Sequence, residues 1–283
     1  MIVITAASGQ LGRLVIAELL KKLPAAEIVA AVRNPASVSD LAALGVQVRQ
    51  ADYTKPETLD AAFKGADKLL LMSSSEVGQR VAQHRNAIEA AKRAGVGLVA
   101  YTSILRADTS PLGLADEHKE TETLLAASGL PYVLLRNGWY SENYLASIPA
   151  ALAHGVYIGS AGEGKIASAA RADYALAAAE VLSKENQAGR VYELAGDQAY
   201  TLSELAVEIS RQSGKTVVYQ NLSEADFKAA LIGAGLPESF AALLADSDIG
   251  ASKGGLFDDG HQLSRLIGRP TTSLEVLVKA AVQ

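Results

Sequence analysis

The chain of 283 residues has no cysteine. Disulfides, thiolate nucleophiles and cysteine-held iron–sulfur clusters are therefore excluded. Its four histidines, His84, His118, His154 and His261, show no metal-site spacing, so no metal is expected. Lys and Arg number 26 against 31 Asp and Glu, for a net charge of −5 and a pI near 5.5. With no basic run, a nucleic-acid partner is not expected. No apolar stretch reaches the ~18 residues of a membrane helix. The chain also opens on an apolar strand rather than a targeting segment. A soluble, cytoplasmic protein is the expectation. What the chain has in quantity is apolar surface: 49% of residues are hydrophobic, and mean hydropathy is +0.15.

The apolar residues come in short runs. Strands are predicted at 2–5, 28–32, 46–50, 68–72, 97–102 and 131–136. Helical patterns lie between them, near 11–22, 36–44, 56–64, 78–94 and 115–128. The strands are filled continuously by Val, Ile and Leu, as in a parallel sheet covered on both faces. This rhythm predicts an α/β fold, a doubly wound parallel sheet of Rossmann type with a smaller C-terminal α/β lobe. The expected division is a dinucleotide-binding domain over 1–138 and a mainly substrate-side lobe over 139–283, with some segments returning to the sheet. In the second half, helices are predicted near 139–150, 172–184, 201–212, 223–234 and 237–246. A strand is expected near 191–195 and a glycine-containing loop at 250–255.

The most informative stretch is Thr5-Ala6-Ala7-Ser8-Gly9-Gln10-Leu11-Gly12, between the first strand and the first helix. Gly9 and Gly12 fit the last two glycines of a G-x-x-G-x-x-G dinucleotide turn; Ala6 takes the place of the first. The leading N–H groups of a helix lack intrahelical acceptors and carry the positive end of its dipole. A turn made of Ala6, Ala7, Ser8, Gly9, Gln10, Leu11 and Gly12 thus suits a pyrophosphate, with Gly12 allowing close helix–strand packing. If the first position requires a positive φ, Ala6 costs about 1–2 kcal/mol there.

Arg33 ends the second strand, 21 residues after Gly12. A carboxylate near this place selects the ribose 2′-hydroxyl of NAD, whereas a guanidinium suits the 2′-phosphate of NADP. NADPH is therefore the expected cofactor, with NADH a weaker one. Asp52 closes the third strand, either beside the adenine or as a turn residue. Ser73, Ser74 and Ser75 follow the fourth strand, where a cofactor crosses the sheet edge or a plain polar loop runs. No second nucleotide motif is present for a flavin.

One motif is missing. None of the ten tyrosines has a lysine four residues later, so the Tyr-x-x-x-Lys acid–base pair of many short-chain dehydrogenases is absent. Reducing an ordinary ketone generates an alkoxide, close in basicity to hydroxide, with water at pKa 15.7. Reducing a quinone generates a phenolate-like anion with pKa about 10. The roughly 6 pK units between them ease the demand on a proton donor by about 8 kcal/mol. The pattern favours a small-molecule acceptor that tolerates negative charge, or a cofactor sensor that performs no chemistry. Asn137, at a strand's carboxyl end, is placed to hydrogen-bond a carbonyl. Trp139, Tyr140 and Tyr144 could stack on a flat ring or simply pack.

The turn, Val32-Arg33-Asn34-Pro35, Gln50-Ala51-Asp52-Tyr53 and Leu135-Arg136-Asn137-Gly138-Trp139-Tyr140 together resemble the NmrA-like group of atypical short-chain dehydrogenases. Ser73–Gln79, Thr109–His118, Arg136–Leu145, Asn221–Asp226 and Ala251–Asp259 are similar to its bacterial NAD(P)H:quinone oxidoreductase branch. That resemblance implies an oxidoreductase, a quinone reductase that uses NADPH and no flavin. It implies Arg33 on the 2′-phosphate. The loop Asn137, Gly138, Trp139, Tyr140, Ser141 and Glu142 would border nicotinamide and substrate, with Arg171 near the pocket. Isoflavone-type relatives carry a catalytic lysine at a position corresponding to His118, which stands here either as a candidate proton donor or as a helix-surface or packing histidine. The group also contains triphenylmethane-dye reductases and regulators that sense NADP(H), which stand as alternatives. An exposed helix pair would support a homodimer.

Overall fold

The computed structural model describes residues 1–283. The chain forms two compact units. The first comprises residues 1–104, 116–137 and 171–192; the second comprises 105–115, 138–170 and 193–283.

The first unit is built on strands β1 (Ile2–Ile4), β2 (Ile28–Val32), β3 (Gln47–Gln50), β4 (Lys68–Leu71), β5 (Leu98–Ile104) and β6 (Tyr132–Asn137). With β8 (Val191–Leu194) they give a seven-stranded sheet of order β3-β2-β1-β4-β5-β6-β8. The pairs from β3 to β6 are parallel. Every residue of β1, β2 and β5 is buried, which explains the unbroken apolar runs of β1 and β2 and the apolar start of β5. Helices α1 (Gln10–Leu20), α2 (Ser39–Ala43), α3 (Pro56–Phe63), α4 (Arg80–Ala94), α5 (Ala115–Ser128) and α8 (Arg171–Ser183) accompany the sheet. Helix α1 buries Gly12, Val15, Ile16 and Leu19, a stripe at helical spacing, and packs beside α8. Chain order reverses at β1: β2 and β3 lie on one side, and β4, β5 and β6 on the other. In such sheets the ligand crevice opens beyond the carboxyl ends of the strands at that switch.

The second unit holds α6 (Ser141–Leu145), α7 (Ile148–His154), α9 (Leu202–Ser213), α10 (Glu224–Gly233), α11 (Glu238–Ser252), α12 (Gln262–Ile267) and α13 (Leu274–Val282). A two-stranded parallel sheet pairs β7 (Val156–Gly159) with β9 (Val218–Asn221). Helix α9 starts with a capping box between Thr201 and Glu204.

Three parts of this unit differ from the sequence expectation. The helix expected over 139–150 is two short helices, α6 and α7, separated at Ala146 and Ser147. Strands β7 and β9 were not expected, because four residues are too few to carry a periodic signal, and helices α12 and α13 were not expected either. The expected loop at 250–255 begins inside α11, which runs on through Ser252. Gly250 serves close approach there: a Cβ on it would stand 2.7 Å from Leu112 Cγ.

Candidate functional site: a crevice at the sheet's switch point

A cavity of about 230 Å³ opens at the carboxyl ends of the strands in the first unit. Its lining follows the order of the sheet. Thr5, Ala6, Ser8 and Gly9 come from the turn after β1, and Arg33 follows β2. Ala51, Asp52 and Tyr53 follow β3, Ser73 to Glu76 follow β4, and Gln83 comes from α4. Of the residues expected at a cofactor, Ala6, Ser8, Gly9, Arg33, Asp52, Ser73, Ser74 and Ser75 are thus brought together. Ala7 is buried behind the turn. Gln10, Leu11 and Gly12 form the first turn of α1, with Gly9 as its N-cap.

The turn is organised by one oxygen. The Ala6 carbonyl accepts the Gly9 N–H at 3.0 Å. A Cβ on Gly9 would sit 3.2 Å from that oxygen, and a Cβ on Gly12 would sit 2.8 Å from it and 2.7 Å from Ala7 Cα. Ala6 achieves this arrangement with φ at +47°. That is the left-handed region, so the cost anticipated for a missing glycine is incurred. No side chain caps α1 and no acidic residue lies in its first turn, which leaves the leading N–H groups for an anion. Ala6→Gly exchanges about 1–2 kcal/mol of backbone strain for about 0.4–1 kcal/mol of unfolded-state entropy. A net stabilisation of about 0.5–1 kcal/mol is expected in urea unfolding, with dinucleotide affinity equal or tighter. A clear loss of affinity would contradict this account of the turn.

Thr5 joins three elements at the switch point. Its hydroxyl donates to the Leu70 carbonyl at 2.9 Å. The same oxygen accepts the Met72 N–H at 2.9 Å and the Tyr53 hydroxyl at 2.6 Å. Burial pushes the Tyr53 phenol above its usual range, so it stays protonated as a donor. Asp52 has a turn role as well as lining the cavity: its Oδ1 accepts the Thr54 N–H and hydroxyl at 2.9 and 2.7 Å. Those bonds hold its carboxyl below the ordinary value.

The serine loop is fastened by helix α4, a contribution the sequence reading missed. Arg80 Nε donates to the Ser74 carbonyl at 2.8 Å, and the Ser74 N–H donates to His84 Nε2 at 2.9 Å. Gln83 Nε2 donates to Glu76 Oε2 at 2.7 Å. Residues 80, 83 and 84 share one helix face, so their spacing was the available signal. Because His84 Nε2 accepts, its proton sits on Nδ1, facing Thr121 Oγ1 at 2.9 Å. Burial, reinforced by Arg80, holds this imidazole down to about 3.

His118 is corrected by its surroundings. It is 4% exposed, and its Nδ1 meets the Tyr101 hydroxyl at 2.7 Å. Burial first, then Arg80 and His84, hold it well below the ordinary histidine value. It is a neutral core histidine outside the cavity lining, not an imidazolium acid.

Asn137 ends β6, is 6% exposed, and its Oδ1 has no hydrogen-bond donor within the protein. Gln83 Oε1, in the cavity wall, is likewise buried without a donor. Buried acceptors left this way cost about 1–3 kcal/mol each, so both favour a ligand that brings N–H or O–H groups.

The remaining substrate-side candidates belong to the second unit, apart from Arg171, which opens α8. The Gly138 N–H donates to the Leu194 carbonyl at 2.7 Å. Trp139 is buried, and Tyr140 bridges Ala169. Ser141 shares a buried hydroxyl chain with Ser168 and Tyr200, and Glu142 lies in the first turn of α6. The Tyr144 hydroxyl donates to Asp248 Oδ1 at 3.1 Å. Burial pushes the Asp248 carboxyl up to about 6 and the Tyr144 phenol well above its usual value. Tyr144 is therefore a packed, hydrogen-bonded core residue rather than a free ring.

No group of three or more metal-ligating side chains comes together, and no helix is long and apolar enough to cross a membrane.

Comparison with known proteins agrees with this geometry. The profile of a family described as NAD(P)H-binding matches residues 6–185. Over 274 residues the chain is 67% identical to quinone oxidoreductase 2 of Escherichia coli, which spans 97% of this chain and 96% of that one. The crystal structure of the NADPH-dependent quinone oxidoreductase of that organism, complexed with NADPH, superposes with a TM-score of 0.98 at 65% identity, covering 100% of both chains. The Citrobacter triphenylmethane reductase complexed with NADP(H) superposes with a TM-score of 0.96 at 40% identity, covering 99% of this chain and 100% of the other. The chain belongs to the NAD(P)H-binding family, among the relatives of quinone oxidoreductase 2.

Proposed function

We propose that this protein is an NADPH-dependent quinone reductase. The observation that carries the reading is the crevice at the switch point, where a phosphate-binding turn and Arg33 line one cavity. The near full-length likeness to the Escherichia coli quinone oxidoreductase supports it. The residues present fit the dinucleotide. Gly9 and Gly12 leave room at the turn, and the orphaned Gln83 Oε1 and Asn137 Oδ1 call for donors.

When bound, NADPH supplies a hydride equivalent. The uncapped start of α1 holds the pyrophosphate, and Arg33 takes the 2′-phosphate through charge-assisted hydrogen bonds. Ser73, Ser74 and Ser75 line the path across the sheet edge on a loop fixed by Arg80 and His84. Asn137 offers its amide to the carbonyl oxygen on which negative charge grows. A quinone that gains a hydride becomes a phenolate-like monoanion and takes its proton from water. No side-chain acid is required, in keeping with a neutral His118 and an absent Tyr-x-x-x-Lys pair. Gly138, Trp139, Tyr140, Ser141, Glu142 and Arg171 remain proposed substrate-side residues, which act mainly by shape and positioning, with Tyr144 packed behind them as support.

Stopped-flow oxidation of NADPH by a benzoquinone tests the reading. Turnover well above the uncatalysed rate is expected, and its absence would overturn the proposal. Arg33→Ala should raise Kd for NADPH about ten-fold or more while changing Kd for NADH little, since one charge-assisted contact is worth about 1.5–3 kcal/mol.

A further inference from the structure

We infer that Glu76 is a specificity-determining residue that opposes the 2′-phosphate and favours the 2′-hydroxyl at the adenosine end of the cavity. The inference rests on the NADPH reading above and asks how sharply the site selects.

Arg33 Nη1 is ion-paired with Glu76 Oε1 at 3.1 Å. The two partners are not equally free. The Arg33 side chain is 74% exposed. Glu76 is anchored: Oε2 accepts from Gln83 at 2.7 Å, and its own N–H donates to Ser74 Oγ at 3.1 Å. Ser74 is in turn clamped through both backbone groups by His84 and Arg80. Gln83 is 4% exposed, and turning its amide over would set Oε1 against the carboxylate. The Glu76 carboxylate, itself 46% exposed, is held by Gln83 as well as by Arg33, so the guanidinium is the freer member of the pair.

The two cofactors meet this pair differently. A phosphate monoester carries about −1.5 to −2 charges near neutral pH and is a hydrogen-bond acceptor. To engage Arg33 it must displace the Glu76 carboxylate or share the guanidinium with it, and it then lies close to a like charge. A 2′-hydroxyl is a donor, and the Glu76 carboxylate in the cavity lining is an acceptor for it. Arg33 therefore pulls the site toward NADPH while Glu76 restrains that preference and keeps NADH usable. An ion pair this exposed stabilises the fold little, so removing the carboxylate acts mainly on selectivity.

The test is calorimetric binding of NADP⁺ and NAD⁺ to the wild-type chain and to Glu76→Gln, which keeps the shape and removes the charge. The variant should tighten NADP⁺ by about three- to ten-fold and leave NAD⁺ unchanged or weaker, so the ratio of the two Kd values shifts toward NADP⁺. General damage to the loop would weaken both dinucleotides together. A ratio that stays constant or moves toward NAD⁺ overturns the role of Glu76. Failure of the wild-type chain to bind either dinucleotide would instead overturn the cofactor reading.

Discussion

Gly12→Ala is expected to weaken NADPH binding by about 100-fold or more, the largest functional effect of any single methyl group in the cavity region. The added carbon would sit 2.7 Å from Ala7 Cα and 2.8 Å from the Ala6 carbonyl oxygen. Both neighbours are backbone, so no side chain can swing aside. Helix α1 must lift from the end of β1, and its leading N–H groups move away from the place the turn reserves for phosphate. Overpacking of this kind costs about 1–3 kcal/mol, of which a better helix propensity returns about 1 kcal/mol. Global stability should therefore fall only slightly while affinity collapses. Fluorescence titration of NADPH together with urea unfolding separates the two quantities. Affinity within about three-fold of wild type would mean that the turn is not the phosphate site.

Thr5→Val should carry the largest stability cost, about 2–3 kcal/mol, with no change in side-chain volume to blame. The Leu70 carbonyl keeps the Thr5 N–H as a donor at 3.1 Å, and the Tyr53 hydroxyl keeps the Met72 carbonyl at 2.7 Å. The Met72 N–H loses its acceptor at 5% exposure, and Tyr53 loses one of its two partners. Unfolding by urea should show the loss in the midpoint. Thr5→Ser, which retains the hydroxyl, should recover most of it. Equal midpoints for valine and wild type would show that water replaces the hydroxyl without penalty.

How far the chain was readable follows from which forces act locally. The first-unit strands were found nearly to the residue, because double burial writes an unbroken apolar run into β1 and β2. The turn and Arg33 were legible because their chemistry sits at fixed offsets from β1 and β2. Glu76, Gln83 and His84 were not, since their roles arise from a helix folding back over a loop. His84 and His118 look alike in sequence and both prove to be neutral core groups, a consequence of burial that no local pattern announces. Strands β7 and β9 were missed because their pairing is between segments 62 residues apart in register, Val156 with Val218. Whether Tyr144 stacks on a ligand or packs could not be told locally, because its partner Asp248 lies 104 residues away in sequence.

The Ala6 carbonyl explains why the first and third positions of this turn answer differently to a methyl group. The first position supplies only a dihedral angle, and a side chain that resists it adds a bounded energetic charge on an otherwise intact loop. The third position supplies space against that oxygen at 2.8 Å, which backbone cannot yield, while the second, at 3.2 Å, asks only for a shift of a few tenths of an ångström. Sequence drift at the motif is therefore directional. Ala at position 6 is a variation the loop absorbs without changing shape, whereas the same methyl at position 12 would change the shape itself.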